Sequence, residues 1–137
     1  MRADSRLTHH DLCFGCGQAN LFGLQMEIEP EGERSARGRF FVKQDHQGPP
    51  GYAHGGIMAT ALDEAMSLLA HHVGTYPLTA SLSIDLRAPA AVGAFVEVDA
   101  EVVSVEGRRL TLRATASNEG TVLAEATATC VEVTPPE

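Results

Sequence analysis

The period of the sequence changes once, and that change constrains the fold more than any other feature. From Ile57 to Val73 the residues favour helix, with Ala, Leu and Met throughout. Thr60, Glu64, Ser67 and His71 recur at i, i+4, i+7 and i+11 and form one narrow polar stripe. The rest of the circumference is apolar and often small: Ala59, Ala61, Leu62, Ala65, Met66, Leu69 and Ala70. A helix this apolar must be covered on most sides. Gly74 is placed to end it. Beyond it, apolar and polar residues alternate in four stretches. Leu78, Ala80, Leu82, Ile84 and Leu86 share one face of the first, Val96 to Val102 of the second, Leu110 to Ala116 of the third and Val122 to Cys130 of the fourth. Glu106-Gly107 and Glu119-Gly120 supply tight hairpin turns. Their Ala-rich faces let a helix lie close.

Ahead of the helix, Phe22 to Glu29 predicts a strand with Phe22, Leu24, Met26 and Ile28 on one side. Pro30-Glu31-Gly32 turns the chain, residues 36–43 form a second strand, and DHQGPPGYAHGG is a loop. Residues 1–20 are a polar lead-in containing the turn CFGCG. The predicted order is strand, strand, long buried helix, then a four-stranded antiparallel meander, an α+β layer architecture. With no repeat or linker, residues 1–137 read as a single domain.

A net charge of −8 without a basic cluster argues against nucleic acid as a partner, since phosphates need grouped Lys and Arg. No apolar run approaches the ~20 residues of a membrane span, and the first residues lack the apolar core of a secretory signal, so no membrane partner is expected. Three cysteines, two of them in one CxxC, make no disulfide framework and point to a reduced, cytoplasmic setting.

The loop-to-helix junction carries the most chemical information. His54 is followed by Gly55 and Gly56 where the helix starts. Helix N-termini present unpaired N–H groups and a positive dipole end, suited to polarising a carbonyl. From HGG alone, glycines that only permit a sharp turn and a surface histidine are the favoured reading. Asp63 shifts the balance, because it sits off the polar stripe beside Ala59, Met66 and Ala70. A carboxylate among apolar side chains is costly unless paired or protonated, and there it becomes a stronger base or nucleophile. Glu64, centred on the stripe, reads as solvated or ion-paired. Cys13-Phe14-Gly15-Cys16, with His9 and His10 just before, invites a zinc reading. Structural zinc commonly draws on two separated ligand pairs, and the sequence holds one CxxC. The expectation is therefore a packed turn and no metal. Cys130 reads as a core residue; His46, His71 and His72 read as surface histidines. Arg87, Arg108 and Arg109 near strand ends are candidates to meet ligand phosphates.

The run HQGPPGYAHGGIMATALDEAM, with CFGCGQANLFGL upstream, resembles hotdog-fold acyl-CoA thioesterases of the phenylacetate-pathway (PaaI-like) and mammalian THEM-type branch. In that fold a sheet wraps one long central helix. The resemblance implies hydrolysis of an acyl-CoA thioester without a cofactor. It assigns the carboxylate nine residues after the HGG histidine, here Asp63, as general base or nucleophile. It assigns the hydroxyl sixteen residues further on, Thr79, to orient water, and the Gly56 N–H to polarise the thioester carbonyl. His54 and Gly55 shape the site, and Gln47, Ser81, Arg87 and Arg108 are substrate-binding candidates. Seven helical residues between Gly56 and Asp63 span ~10 Å, too far for both to touch one carbonyl from one helix. The family forms its site between two subunits, which implies a homodimer or a dimer of dimers. Some relatives carry Asn six residues before the HGG histidine, where this chain has Gly48; Gln47 is the candidate substitute. A hotdog hydratase and a non-catalytic acyl-thioester binder are the competing readings, and Asp63 with Thr79 favours the hydrolase.

Overall fold

Strand, strand, helix and four strands follow one another in the predicted order in the computed structural model, which describes residues 5–136. The first four residues of the lead-in lie outside the described residues. The elements are β1 (Glu27–Pro30), β2 (Ser35–Phe41), α1 (Gly55–Val73), β3 (Pro77–Leu86), β4 (Phe95–Glu106), β5 (Arg109–Asn118) and β6 (Thr121–Glu132). They form one antiparallel sheet in the order β1-β2-β4-β5-β6-β3, with α1 packed across all six strands. This is the hotdog arrangement, and the α+β expectation holds. Among the described residues no helix is long and apolar enough to cross a membrane.

The meander is shorter than the alternation predicts. β4, β5 and β6 are consecutive neighbours, but β3 pairs with β6 instead of β4. α1 carries the chain across the sheet from β2, so β3 lands at the far edge. The apolar sets of β4 and β5 face inward: Val96, Val98, Leu112 and Ala116 are fully buried, as is the Ala-rich face of β6. α1 buries Ala61, Leu62, Met66, Leu69 and Ala70 against this layer. The β5–β6 turn is Glu119-Gly120, both at positive φ (49° and 83°), the conformation that matches a two-residue hairpin to strand twist.

Two strand expectations need correction. β1 begins at Glu27, and Phe22 is 77% exposed, because residues 21–26 are spent wrapping the CFGCG turn: Leu24 and Met26 donate their N–H groups to Phe14 and Gly15 carbonyls. β3 is an edge strand, so Leu82 and Leu86 are exposed in the isolated chain although they share the face of buried Ala128 and Ala124, and Leu78, paired with Val131, is exposed on the opposite face.

Candidate active site

The helix start is held by a short loop folded back on itself. His46 is not a surface histidine: it is 1% exposed. Its Nδ1 accepts the Lys43 N–H (3.1 Å) and its Nε2–H donates to the Gly23 carbonyl (3.2 Å). Burial lowers its pKa below the ordinary histidine range. The His46 carbonyl in turn accepts the His54 N–H (2.7 Å), so this buried ring sets where the HGG segment begins. Gln47 ties the loop at both ends of its amide, Oε1 to the Gly51 N–H (2.7 Å) and Nε2–H to the Gln44 carbonyl (3.2 Å). Gly48 lies so close that an added Cβ would stand 2.9 Å from His54 Cα, which leaves no room for an asparagine in this conformation.

His54 caps α1: its Nδ1 accepts the Gly56 N–H at 2.8 Å, and its carbonyl receives the Ile57 and Met58 N–H groups. The imidazole thus occupies the place a carbonyl oxygen would take on Gly56. Beside it an open, largely apolar hollow of about 280 Å³ is lined by Gly55, Met58, Leu86, Ala88 and Ala90. Arg87 is at its rim, paired with Glu125 (2.9 Å).

Two turns along the helix, Asp63 is half-buried and accepts the Thr79 hydroxyl at 3.3 Å. Burial raises its pKa above the ordinary carboxylate range, the Thr79 hydrogen bond works against that rise, and the neighbouring Glu64 charge adds to it. A defect in strand pairing brings the two side chains together. In β3, Thr79 pairs with Cys130 but Ser81 pairs with Thr129, so Ala80 is an extra residue. This bulge turns Thr79 onto the face of buried Cys130, towards α1, and turns Ser81 to the opposite face. Strict alternation puts Thr79 and Ser81 on one face, and they are not.

The other candidates do not gather at Asp63. Arg87 follows the Leu86 end of β3, and Arg108 sits by Glu132 at the Pro77 end, its carbonyl accepting the Glu132 N–H (2.7 Å). The intervening strand spans roughly 30 Å at about 3.3 Å per residue, so a single chain cannot apply both arginines to one small ligand.

The polar stripe of α1 is partly covered from Glu64 onward. The lead-in lies across it and places the His9 ring against Glu64, Ser67 and His71. Glu64 is 8% exposed. His9 Nδ1–H donates to Glu64 Oε2 at 2.9 Å, and the Cys13 thiol donates to the same oxygen at 3.3 Å. That bond to Glu64 raises the His9 pKa to about 9, against the effect of burial. Burial pushes Glu64 up, but the hydrogen bonds from His9 and the cysteines outweigh it and hold the carboxyl below its ordinary range. His9, Cys13, Cys16 and Glu64 are the described residues whose donor atoms converge closely enough to hold a metal. The CxxC therefore has two companions, a histidine four residues upstream and a glutamate from the helix, where the sequence shows no second pair.

The sequence and the fold both have counterparts among known proteins. The thioesterase superfamily model matches residues 50–125, which hold the HGG junction, Asp63 and Thr79. Acyl-coenzyme A thioesterase THEM4 of Rattus norvegicus is 34% identical over 91 residues, 65% of this chain and 39% of that protein. THEM4 of Xenopus laevis is 36% identical over 64 residues, 47% of this chain and 29% of that protein. This chain thus spans well under half the length of these relatives. Among solved structures, a thioesterase superfamily protein superposes with a TM-score of 0.83 at 25% identity, covering 89% of this chain and 61% of that one. A mutant of the phenylacetic acid degradation protein PaaI from Thermus thermophilus superposes with a TM-score of 0.75 at 28% identity, covering 80% and 95%.

Proposed function

Because this chain belongs to the thioesterase superfamily, whose model matches more than half of it, we propose that it hydrolyses acyl-CoA thioesters to a free acid and coenzyme A. The observation that carries the reading is the Asp63–Thr79 pair. The Asp63 carboxylate accepts a single hydrogen bond among the described residues and has a pKa raised by burial, which suits a carboxylate that must take a proton from water or attack carbonyl carbon itself. The Thr79 hydroxyl fixes the carboxylate rotamer and leaves its second oxygen for the reaction. The acyl-CoA substrate class is supported by the rat and frog relatives, both acyl-coenzyme A thioesterases.

The Gly56 N–H is the electrophilic half of the proposal. It passes from the His54 imidazole to the thioester oxygen as the ring turns aside, so His54 holds the donor ready. The tetrahedral intermediate then forms against a helix N-terminus, where developing negative charge is stabilised. The acyl group enters the apolar hollow by Gly55 and Leu86.

Gly56 and Asp63 act on the same carbonyl only if two chains share each site. β3 is a ten-residue edge strand, laddered to β6 on one side and without a partner strand on the other, and it exposes Leu78, Leu82 and Leu86. Such an edge invites pairing. Antiparallel pairing of β3 with its own copy brings the Leu86 end of one chain, with its helix start, beside the Thr79 end of the other. A homodimer with two equivalent sites follows from that two-fold. Arg87 and Arg108 then belong to substrate contacts distributed over both chains, Gln47 supports the loop, and Ser81, on the face turned away from Thr79 and α1, is not among them.

The test is release of free thiol from a panel of short, long and aromatic acyl-CoAs, with the dimer followed by sedimentation. Saturable turnover of at least one acyl-CoA supports the reading. Tight binding of acyl-CoA without thiol release overturns it in favour of a binder.

A further inference from the structure

We propose that His9, Cys13, Cys16 and Glu64 bind one zinc ion in a closed structural site that fastens the lead-in to α1. Nothing in the thioester chemistry uses these residues, and the proposal does not rest on that chemistry.

The geometry comes first. The four donor atoms all lie within 4.8 Å of one another. Zn–S bonds of about 2.3 Å and Zn–N or Zn–O bonds of about 2.0–2.1 Å at tetrahedral angles set donor separations of about 3.3–3.8 Å. Three of the six separations fall in that range, 3.5 Å from Cys13 Sγ to His9 Nδ1, 3.8 Å from Cys16 Sγ to His9 Nδ1 and 3.3 Å from Cys13 Sγ to Glu64 Oε2, and the two from Cys16 Sγ to Cys13 Sγ and to Glu64 lie within 4.8 Å. His9 Nδ1 to Glu64 Oε2 is shorter, 2.9 Å, the length of a direct hydrogen bond. An ion replacing that proton needs an opening of only a few tenths of an ångström. The donor set of two sulfurs, one imidazole nitrogen and one carboxylate oxygen is complete for zinc and suits it better than magnesium or calcium, which take oxygen ligands.

The surroundings are built around thiolates. Cys16 is 2% exposed, and its sulfur accepts the His9 backbone N–H at 3.2 Å and lies 3.5 Å from the Thr8 hydroxyl, which is free to donate to a thiolate. A buried neutral thiol has little need of two donors; a metal-bound thiolate does. The Gly17 N–H closes the turn on the Cys13 carbonyl (2.8 Å). His9 Nε2–H reaches Ser67 Oγ at 3.4 Å, which leaves Nδ1 to face the cluster, the arrangement in which the second ring nitrogen orients a metal-bound histidine. Gly15 completes the design: a Cβ there would stand 2.5 Å from Glu64 Cδ, so only a bare backbone lets the glutamate reach the cysteines.

With two thiolates and one carboxylate around a divalent ion, the site carries a net charge of −1, spread over the hydrogen bonds to sulfur. No position is left for water, so the ion has no catalytic role. Its effect is structural, because the metal's binding energy becomes folding energy for the lead-in.

The experiment uses the whole chain without a histidine tag, expressed with zinc and purified without chelator, with metal measured by mass spectrometry. About one zinc per chain is expected. Stripped under reducing conditions and titrated with Co²⁺, the protein should show saturation at one equivalent, a thiolate-to-cobalt charge-transfer band in the near ultraviolet, and the intense visible bands of a tetrahedral ion. Cys13→Ser and Glu64→Gln should each lower zinc retention at least about tenfold in competition with a chelator, while Asp63→Asn retains the full equivalent. Below about one-tenth of an equivalent in the wild-type protein, with no tetrahedral cobalt spectrum on titration, the proposal is overturned. Both wild-type readouts decide the matter even if a cysteine variant fails to fold. Zinc content and thiol release are read on the same sample, so failure of one leaves the other standing.

Discussion

Asp63 and Glu64 are adjacent in sequence and about 100° apart around the same helix, and the fold treats them oppositely. Asp63 faces the edge strand, keeps one hydrogen bond and is pushed towards protonation by burial. Glu64 faces the lead-in, is more deeply buried, and is met by a histidine and two cysteines that hold it ionised. Burial alone thus does not decide what a carboxylate does. The number of donors brought to it does. A carboxylate with unspent acceptor capacity is available for chemistry, and one whose capacity is filled is a fastener.

If the Asp63 side is the reacting side, its electrophilic counterpart must lie in a second chain. Gly56→Pro removes the N–H in the first turn of α1, where proline is sterically tolerated. Loss of one such donor is expected to lower turnover about 10²–10³-fold. Mixed with an Asp63→Asn chain, it should regain activity as subunits exchange, to about half of wild type per mixed dimer, because one of two sites then carries neither defect. Demonstrated exchange without recovery would place both groups in one chain and break the shared-site account.

The Thr79 hydroxyl is the next largest lever. Thr79→Ala removes the hydrogen bond to Asp63, and a bond to a charged group is worth about 1.5–3 kcal/mol, or about 10–10²-fold in turnover if it is fully expressed in the transition state. Thr79→Ser should restore most of the rate. Equal rates for Ala and Ser would mean that the bulge at Ala80 serves only the strand.

On the Glu64 side the effect should appear in stability instead. Gly15→Ala forces the carboxylate aside, and overpacking of this kind costs about 1–3 kcal/mol. A lowered denaturant midpoint with a smaller change in turnover than Thr79→Ala is the expected result. The reverse pattern would erase the distinction between the two carboxylates.

The smallest expected effect concerns His46, the other buried polar side chain among the described residues. Its folded pKa is lowered by burial, so the unfolded chain binds the proton more readily. Its contribution to stability is therefore complete above the ordinary value near 6.5 and is lost as the pH falls from there through the lowered value. Unfolding midpoints across this range should drop less steeply in His46→Gln than in wild type, and parallel curves would remove His46 as the anchor of the helix-start loop.

Much of this was legible in the chain, and the misses have physical causes. The buried helix, its termination at Gly74, the inward faces of β4 and β5 and of β6 from Ala124 to Cys130, and the off-stripe position of Asp63 all follow from periodicity, because each is set by local patterning; at the start of β6 the alternation misleads, since a register shift in the β5–β6 ladder leaves Val122 exposed and buries Leu123. The edge position of β3 is not local: it depends on where a nineteen-residue helix delivers the chain. The bulge at Ala80 hides behind perfect alternation of residue types, so Thr79 and Ser81 read as companions although one faces the helix and the other does not. Glu64 on the polar stripe reads as solvated or ion-paired, and its partner is not legible because it comes from a distant segment, the lead-in that brings His9 to Glu64 across 55 residues of chain. The spacing His9-x₃-Cys13-x₂-Cys16 was the available signal, with the fourth donor on the stripe itself.

The central claim is that Asp63, and not its neighbour, performs the chemistry, and thiol release from acyl-CoA by Asp63→Asn tests it most directly. Asparagine keeps the shape and the Thr79 hydrogen bond but is neither a base nor a nucleophile. The account predicts turnover lower by at least roughly 10²-fold, with unchanged unfolding and unchanged zinc content. Near-wild-type turnover in a folded Asp63→Asn protein would contradict it.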